Sequence, residues 1–196
     1  MISNEDVEGA TPLEPEELVG LKFKHITTRR QLDELEQANI VAGLLWLKKS
    51  IRRDDVLSLQ FSFELHKALF KNVWTWAGSF RLTEKNIGID PINISVDLRN
   101  LLDDLQAWVE FGSYSPQEAV LRFHHQLVKI HPFPNGNGRF SRIYADIVAE
   151  KYFKISPISW GGRELDKMTE VRINYIKALR AADGGDLTLL LELYAT

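Results

Sequence analysis

Cysteine is absent from the chain, which excludes disulfides, thiolate metal sites and a thiol nucleophile. Long apolar runs are missing as well. No segment reaches the roughly 18 consecutive apolar residues of a membrane span, so no membrane partner is expected. Positive charge is not in surplus either: 24 Lys and Arg face 27 Asp and Glu, a net charge of −3. Without a clustered basic stretch, direct binding to nucleic acid is not expected, because neutralising phosphates needs grouped Lys and Arg. The opening residues MISNEDVEGATPLEPEELVG lack the basic-then-apolar pattern of a secretory leader. A soluble, cytoplasmic protein is the expectation that remains.

What the chain does contain suits one globular domain: 196 residues, 44% of them hydrophobic and 26% charged. Residues 1–20 read as an N-terminal arm, and 21–196 as a single domain with its core at about 55–190. Helical spacing begins after Thr28, a fitting N-cap, with Leu32, Leu35, Ile40, Leu44 and Leu47 on one side. A second helix is expected over Asp54 to Phe70. Trp74 to Val96 breaks the pattern with Gly78, Gly88 and Pro91 between β-favouring pieces, which predicts a small hairpin. Asp97 to Glu110 returns to helix. Ser115, Pro116 and Glu118 then form a strong start signal for SPQEAVLRFHHQLVKI. Further helices are expected over Arg139 to Phe153 and Arg163 to Asp183, with a short closing one after Gly184-Gly185. The fold class is mostly α, with one small β element.

The densest chemistry lies in HPFPNGNGRFSR, His131 to Arg142. Gly136 and Gly138 tolerate positive φ, which lets successive backbone N–H groups face one concavity. A helix starting there adds its positive end, making an anion site suited to phosphate. Arg139 and Arg142 are one helical turn apart and fit a clamp on phosphate oxygens. His131, with an ordinary pKa of about 6.5, suits a general base that takes a proton from an attacking hydroxyl. The competing interpretation is a Pro/Gly-rich connection carrying a surface histidine and two solvated arginines.

This run closely resembles the signature of the Fic (filamentation-induced-by-cAMP) family, His-x-Phe-x-Asp/Glu-Gly-Asn-Gly-Arg-x-x-Arg. FKNVWTWAGSFRLTEKNIG resembles the segment leading to that family's target-binding flap, and RINYIKALRAADGGD its C-terminal helix. TPLEPEELVGLKFKHITTRRQLDELEQANI is similar to a subgroup labelled mobile mystery protein B. The resemblance implies a Fic-type helical bundle with a small β-hairpin flap beside the active-site loop. It also implies transfer of AMP from ATP to a Ser, Thr or Tyr hydroxyl of a target protein, with a toxin–antitoxin-like setting and homo-oligomerisation left open. On this basis His131 is the base, and Gly136, Asn137 and Gly138 hold phosphates with Arg139 and Arg142. Lys85, Asn86, Ile87, Gly88 and Ile89 form the edge that pairs with the target.

One position departs from the signature: Asn135 stands where the family has Asp or Glu to hold Mg²⁺ or Mn²⁺. A neutral amide binds a hard cation weakly. That leaves other donors (UMP, phosphocholine or a phosphoryl group) and a catalytically silent binding module as alternatives. Many relatives carry an inhibitory helix whose Glu pairs with the second signature arginine. Here Glu36, on the helix expected at about 28–48, fits that part, and a solvated helix charge is the alternative. His124 and His125, being adjacent, do not make a metal pair; one is expected in the core and the other exposed. Trp160-Gly161-Gly162 is a candidate for the adenine side of the site.

Overall fold

A computed structural model of the chain describes residues 18–50, 56–162, 165 and 169–194. The N-terminal arm read at 1–20 therefore lies almost wholly outside the described residues. Seven α-helices occur among them: α1 (Arg29–Ser50), α2 (Leu59–Phe70), α3 (Ile94–Phe111), α4 (Pro116–Ile130), α5 (Asn137–Val148), α6 (Glu170–Asp183) and α7 (Thr188–Tyr194). No described helix is long and apolar enough to cross a membrane.

Side-chain caps set several of the boundaries. Thr28 Oγ1 accepts from the Gln31 N–H at 3.3 Å, and Gln31 Oε1 accepts from the Thr27 and Thr28 N–H groups at 3.1 and 3.2 Å. That reciprocal box starts α1. Ser115 Oγ accepts from the Glu118 N–H at 3.3 Å ahead of Pro116. α2 begins later than its spacing suggests, because Ser58 is extended (ψ 153°) and caps the Phe61 N–H at 3.1 Å. Thr169 caps α6 in the same way at Glu170, while most of the expected stretch before it (163–164 and 166–168) lies outside the described residues. α5 runs on through one π-helical turn, Ala149–Phe153, and stops where Lys154 turns left-handed at φ 57°.

The core forms around α4. Val120, Leu121, Phe123 and Leu127 have no exposure, and they meet Leu65 and Leu69 of α2, Leu98 and Leu105 of α3, and Phe140 and Tyr144 of α5. Each such side chain contributes roughly 1.5–3 kcal/mol by leaving water. α1 lies across α2, closely enough that a Cβ on Gly43 would stand 2.8 Å from the Ala68 carbonyl. Of its expected apolar face, Leu32, Ile40 and Leu47 are buried while Leu44 is exposed.

The expected hairpin does not form. Among the described residues the only β pairing is an isolated antiparallel bridge, Leu21 with Trp74, and 79–90 is an irregular loop. The physical reason is a competing donor. Carbonyls of Thr83 and Ile89 accept from the Arg81 guanidinium, the first at 2.9 Å.

Candidate active site

α4 ends at His131, whose backbone is left-handed (φ 53°, ψ 60°), with its N–H still bonded to Leu127 O at 3.1 Å. That conformation turns the chain sharply into HPFPNGNG. Phe133, fully buried, anchors the turn by stacking on His66 with ring centroids 3.7 Å apart and planes 15° apart. Asn137 then closes the loop on itself. Its Oδ1 accepts from the Phe133 N–H at 2.9 Å, and its Nδ2 donates to Phe133 O at 2.7 Å. His66 braces the far side: Nε2 meets Asn135 O at 3.1 Å, while Nδ1 accepts from the Gly78 N–H at 3.0 Å. With Nδ1 accepting, the proton sits on Nε2. Burial drives the pKa of His66 down to about 3, so it stays neutral.

Gly136 adopts φ 77°, and a Cβ there would stand 2.5 Å from the Phe70 ring. Glycine is required at this position. Gly138 has no positive φ; it lies in the first turn of α5, where a Cβ would meet only Arg142 Nη1, at 3.5 Å. Its value is open space above the backbone. The Asn137 and Gly138 N–H groups precede the first helical bond, Phe140 N–H to Gly136 O at 2.9 Å. This is the positive end of a helix, as expected for an anion site.

His131 is 5% exposed. Its Nδ1 lies 3.2 Å from Val128 O, which assigns the proton to Nδ1 and leaves Nε2 as the basic nitrogen. Burial, followed by the positive charges of Arg81 and Lys85, lowers its pKa to about 4, so at pH 7 the ring is neutral.

A cavity of about 610 Å³ gathers these parts. His131, Asn135, Gly136, Asn137, Gly138, Arg139 and Arg142 all line it, as do Asn86, Ile87, Gly88 and Ile89 from the flap. Lys85 stands back from the wall, its charge felt at His131. Residues outside the motif complete the lining: Lys129 of α4 and Arg172 and Arg180 of α6 add positive charge, and Ile176 and Leu179 supply an apolar side. Nothing in the spacing of α6 distinguished these from ordinary surface residues. Arg142 reaches the Tyr175 hydroxyl, which also meets His124 Nε2 at 3.0 Å.

Glu36 is not a solvated charge. It is 1% exposed, with Oε2 2.7 Å from Arg139 Nη2 and Oε1 accepting from Trp74 Nε1 at 2.6 Å. Its partner is the first arginine of the motif, Arg139, rather than the second. Arg139 also lies over the Phe70 ring, 5.1 Å from its centroid. His124 and His125 are both buried, against the expectation that one would be exposed, and His125 Nε2 bonds Asp183 at 2.9 Å beside the cavity. Trp160 does not line the cavity. Its ring packs on His124 at 4.4 Å and its Nε1 donates to Asp146 at 2.9 Å.

The donor set does not fit a divalent cation held by the protein. Asn135 Oδ1 is neutral and accepts from the Gly136 N–H at 2.7 Å. No group of three or more His, Cys, Asp or Glu suited to a metal occurs among the described residues. The positive charge along the cavity comes from its arginines and Lys129.

Comparison with known proteins gives similar sequences and similar folds. The family model described as Fic/DOC family matches residues 56–149. Protein adenylyltransferase fic-1 of Caenorhabditis elegans is 26% identical over 156 residues, covering 74% of this chain and 28% of that protein. A probable protein adenylyltransferase, y4lH of Sinorhizobium fredii (strain NBRC 101917 / NGR234), is 24% identical over 174 residues, covering 85% and 84%. The chain thus spans about a quarter of the fic-1 sequence. Among solved structures, Fic-1 from C. elegans superposes with a TM-score of 0.64 at 24% identity over 81% of this chain and 47% of that one. BepC of Bartonella tribocorum, solved with bound AMPPNP, gives 0.66 at 17% identity over 92% and 96%. At these identities the structures show the fold.

Proposed function

We propose, from the match of residues 56–149 to the Fic/DOC family model and from the loop geometry, that the chain transfers AMP from ATP to a hydroxyl of a target protein. One observation carries the proposal: a neutral, buried imidazole and a helix N-terminus line the same cavity as Arg139 and Arg142. In this reading His131 Nε2 takes the proton of a target Ser, Thr or Tyr. The freed oxygen attacks the α-phosphorus of ATP, and the bond from that phosphorus to the bridging oxygen breaks, releasing pyrophosphate. Catalysis of this kind is positioning plus charge stabilisation. A base with a pKa near 4 is weak, and the negative charge of bound polyphosphate raises it toward the useful range.

Backbone N–H groups at Asn137 and Gly138 hold phosphate oxygens, with Arg139, Arg142 and Lys129 around them. The flap from Lys85 to Ile89 receives an extended target segment. Glu36, by occupying Arg139, withholds one phosphate ligand, so α1 acts as a restraint. ATP as the co-substrate supports a cytoplasmic setting. No step is assigned to Mg²⁺ or Mn²⁺, because Asn135 does not fit one.

The test is transfer of label from α-labelled ATP to the protein itself or to lysate proteins, beside His131→Ala. A loss of about 10²–10⁴-fold in the variant is expected. No incorporation from any nucleotide, with Glu36 intact or replaced, would sink the proposal. Intact mass separates AMP from UMP, phosphocholine or phosphoryl transfer. A second reading, a nucleotide-binding module without turnover, has Asn135 in its favour; ATP binding by calorimetry with no label transfer from wild type or Asn135→Asp would establish it.

A further inference from the structure

Arg81 lies outside the motif and does not line the cavity, yet it is 2% exposed, the most deeply buried guanidinium described. No carboxylate is paired with it among the described ion pairs; Asp90 and Glu84 act only at a distance. A buried charge of this kind persists only where its donors are satisfied. Four carbonyls from two separate segments do so. Nε donates to His131 O at 2.6 Å and Nη1 to Thr83 O at 2.9 Å. Nη2 donates to Ile89 O and, at 3.4 Å, to Ile130 O. The Arg81 backbone N–H adds a bond to Pro132 O at 3.0 Å.

Two further observations bear on what this arrangement does. His131 holds a left-handed backbone, which a β-carbon makes costly and which lasts only where surrounding bonds over-determine it. Gly88, at φ 120°, has no room for a side chain: a Cβ would stand 2.6 Å from Arg81 Nη2 and 2.8 Å from His131 Cβ. The flap therefore rests directly on Arg81 and His131 together.

We propose that Arg81 is a positioning residue, a single buried fork that sets the flap in register with His131 and so places the target hydroxyl against the base. The inference rests on the reading of His131 as base and of 85–89 as target flap. Thr83 and Ile89 bracket the flap and His131 and Ile130 bracket the turn, so neither segment shifts without breaking bonds to the same guanidinium. Lysine cannot replace it, because one ammonium cannot span acceptors on both sides of a planar fork.

The experiment uses the full chain as Arg81→Met and as the milder Arg81→Lys, which decides the matter should the first not fold. Amide hydrogen exchange is followed at 83–89 and 130–133, with α3 as control; ATP affinity and kcat for transfer are measured alongside. Exchange should quicken at both segments together while α3 is unchanged. ATP affinity should hold, and kcat should fall about 100-fold, the scale of a misplacement near 1 Å. Unchanged exchange at either segment overturns the inference, whether or not the wild type transfers AMP. A kcat loss matched by an equal loss of ATP affinity overturns it too, since that marks general collapse. A wild type that transfers nothing defeats the adenylyl-transfer reading alone, and exchange still decides the role of Arg81.

Discussion

Between α4 and α5 the chain turns on bonds among near neighbours: Asn137 grips Phe133 twice, and Asn135 bonds the Gly136 N–H. The flap at 79–90 is also irregular, but it is gathered round one side chain, Arg81, whose other contacts lie on that turn. The first arrangement is locally determined and locked into the aromatic core through Phe133 and His66. The second is tied to the first through that one guanidinium. Damage to the turn should therefore cost stability, whereas damage to the flap should cost turnover.

Acid tests the locked side most strongly. His66, His124 and His131 are held neutral chiefly by burial, with pKa lowered to about 3, 3 and 4. Unfolded, each takes up a proton near pH 6.5; folded, it does not, so stability falls as pH drops through that window. Between pH 7 and 5 the loss is on the order of 2 kcal/mol per histidine. Asp146, with pKa raised by burial to about 6, works in the opposite sense and offsets roughly 1 kcal/mol. Urea denaturation at the two pH values should show a net loss of several kcal/mol. Equal midpoints would mean that these imidazoles are not held neutral, and the locked turn would lose its physical basis.

A pair of glycine substitutions contrasts the two regions directly. Gly136→Ala drives a methyl into the Phe70 ring at a positive φ, and should cost about 2–4 kcal/mol in thermal or urea unfolding. Gly88→Ala meets Arg81 and His131 from an exposed position, so the strain falls on the placement of the flap rather than on the core. There the expected loss is roughly tenfold in transfer, with little change in unfolding midpoint. The reverse pattern would break the comparison. A smaller effect is expected from Glu36→Gln, which removes the charge facing Arg139 and keeps an acceptor for Trp74 Nε1. Auto-modification should rise several-fold; no rise would remove the restraint assigned to α1.

Legibility followed the same division. Ser115-Pro116 and Thr28 with Gln31 announced their helices because capping is chemistry between close sequence neighbours. His131, Gly136, Arg139 and Arg142 were readable for the same reason, and they do share one cavity. The flap was misread as a hairpin because its β-favouring residues say nothing of a guanidinium claiming the carbonyls of Thr83 and Ile89. Glu36 meets an arginine of the motif, though Arg139 and not the expected Arg142, because a helix face viewed alone cannot show which arginine, 103 or 106 positions on, it will meet. His66, Arg172 and Tyr175 carried no local signal, since each matters only through elements distant in sequence.

The ion pair of Glu36 with Arg139 joins a residue before position 56 to one inside the family's matched span, 56–149. Cutting the chain at that boundary would thus not yield a smaller copy of the same protein. It would strip the carboxylate from Arg139, leave Trp74 Nε1 without its acceptor, and bare the surface that Leu32, Ile40 and Leu47 cover. Residues before position 56 thus complete the surroundings of Arg139 and Trp74 inside the matched span.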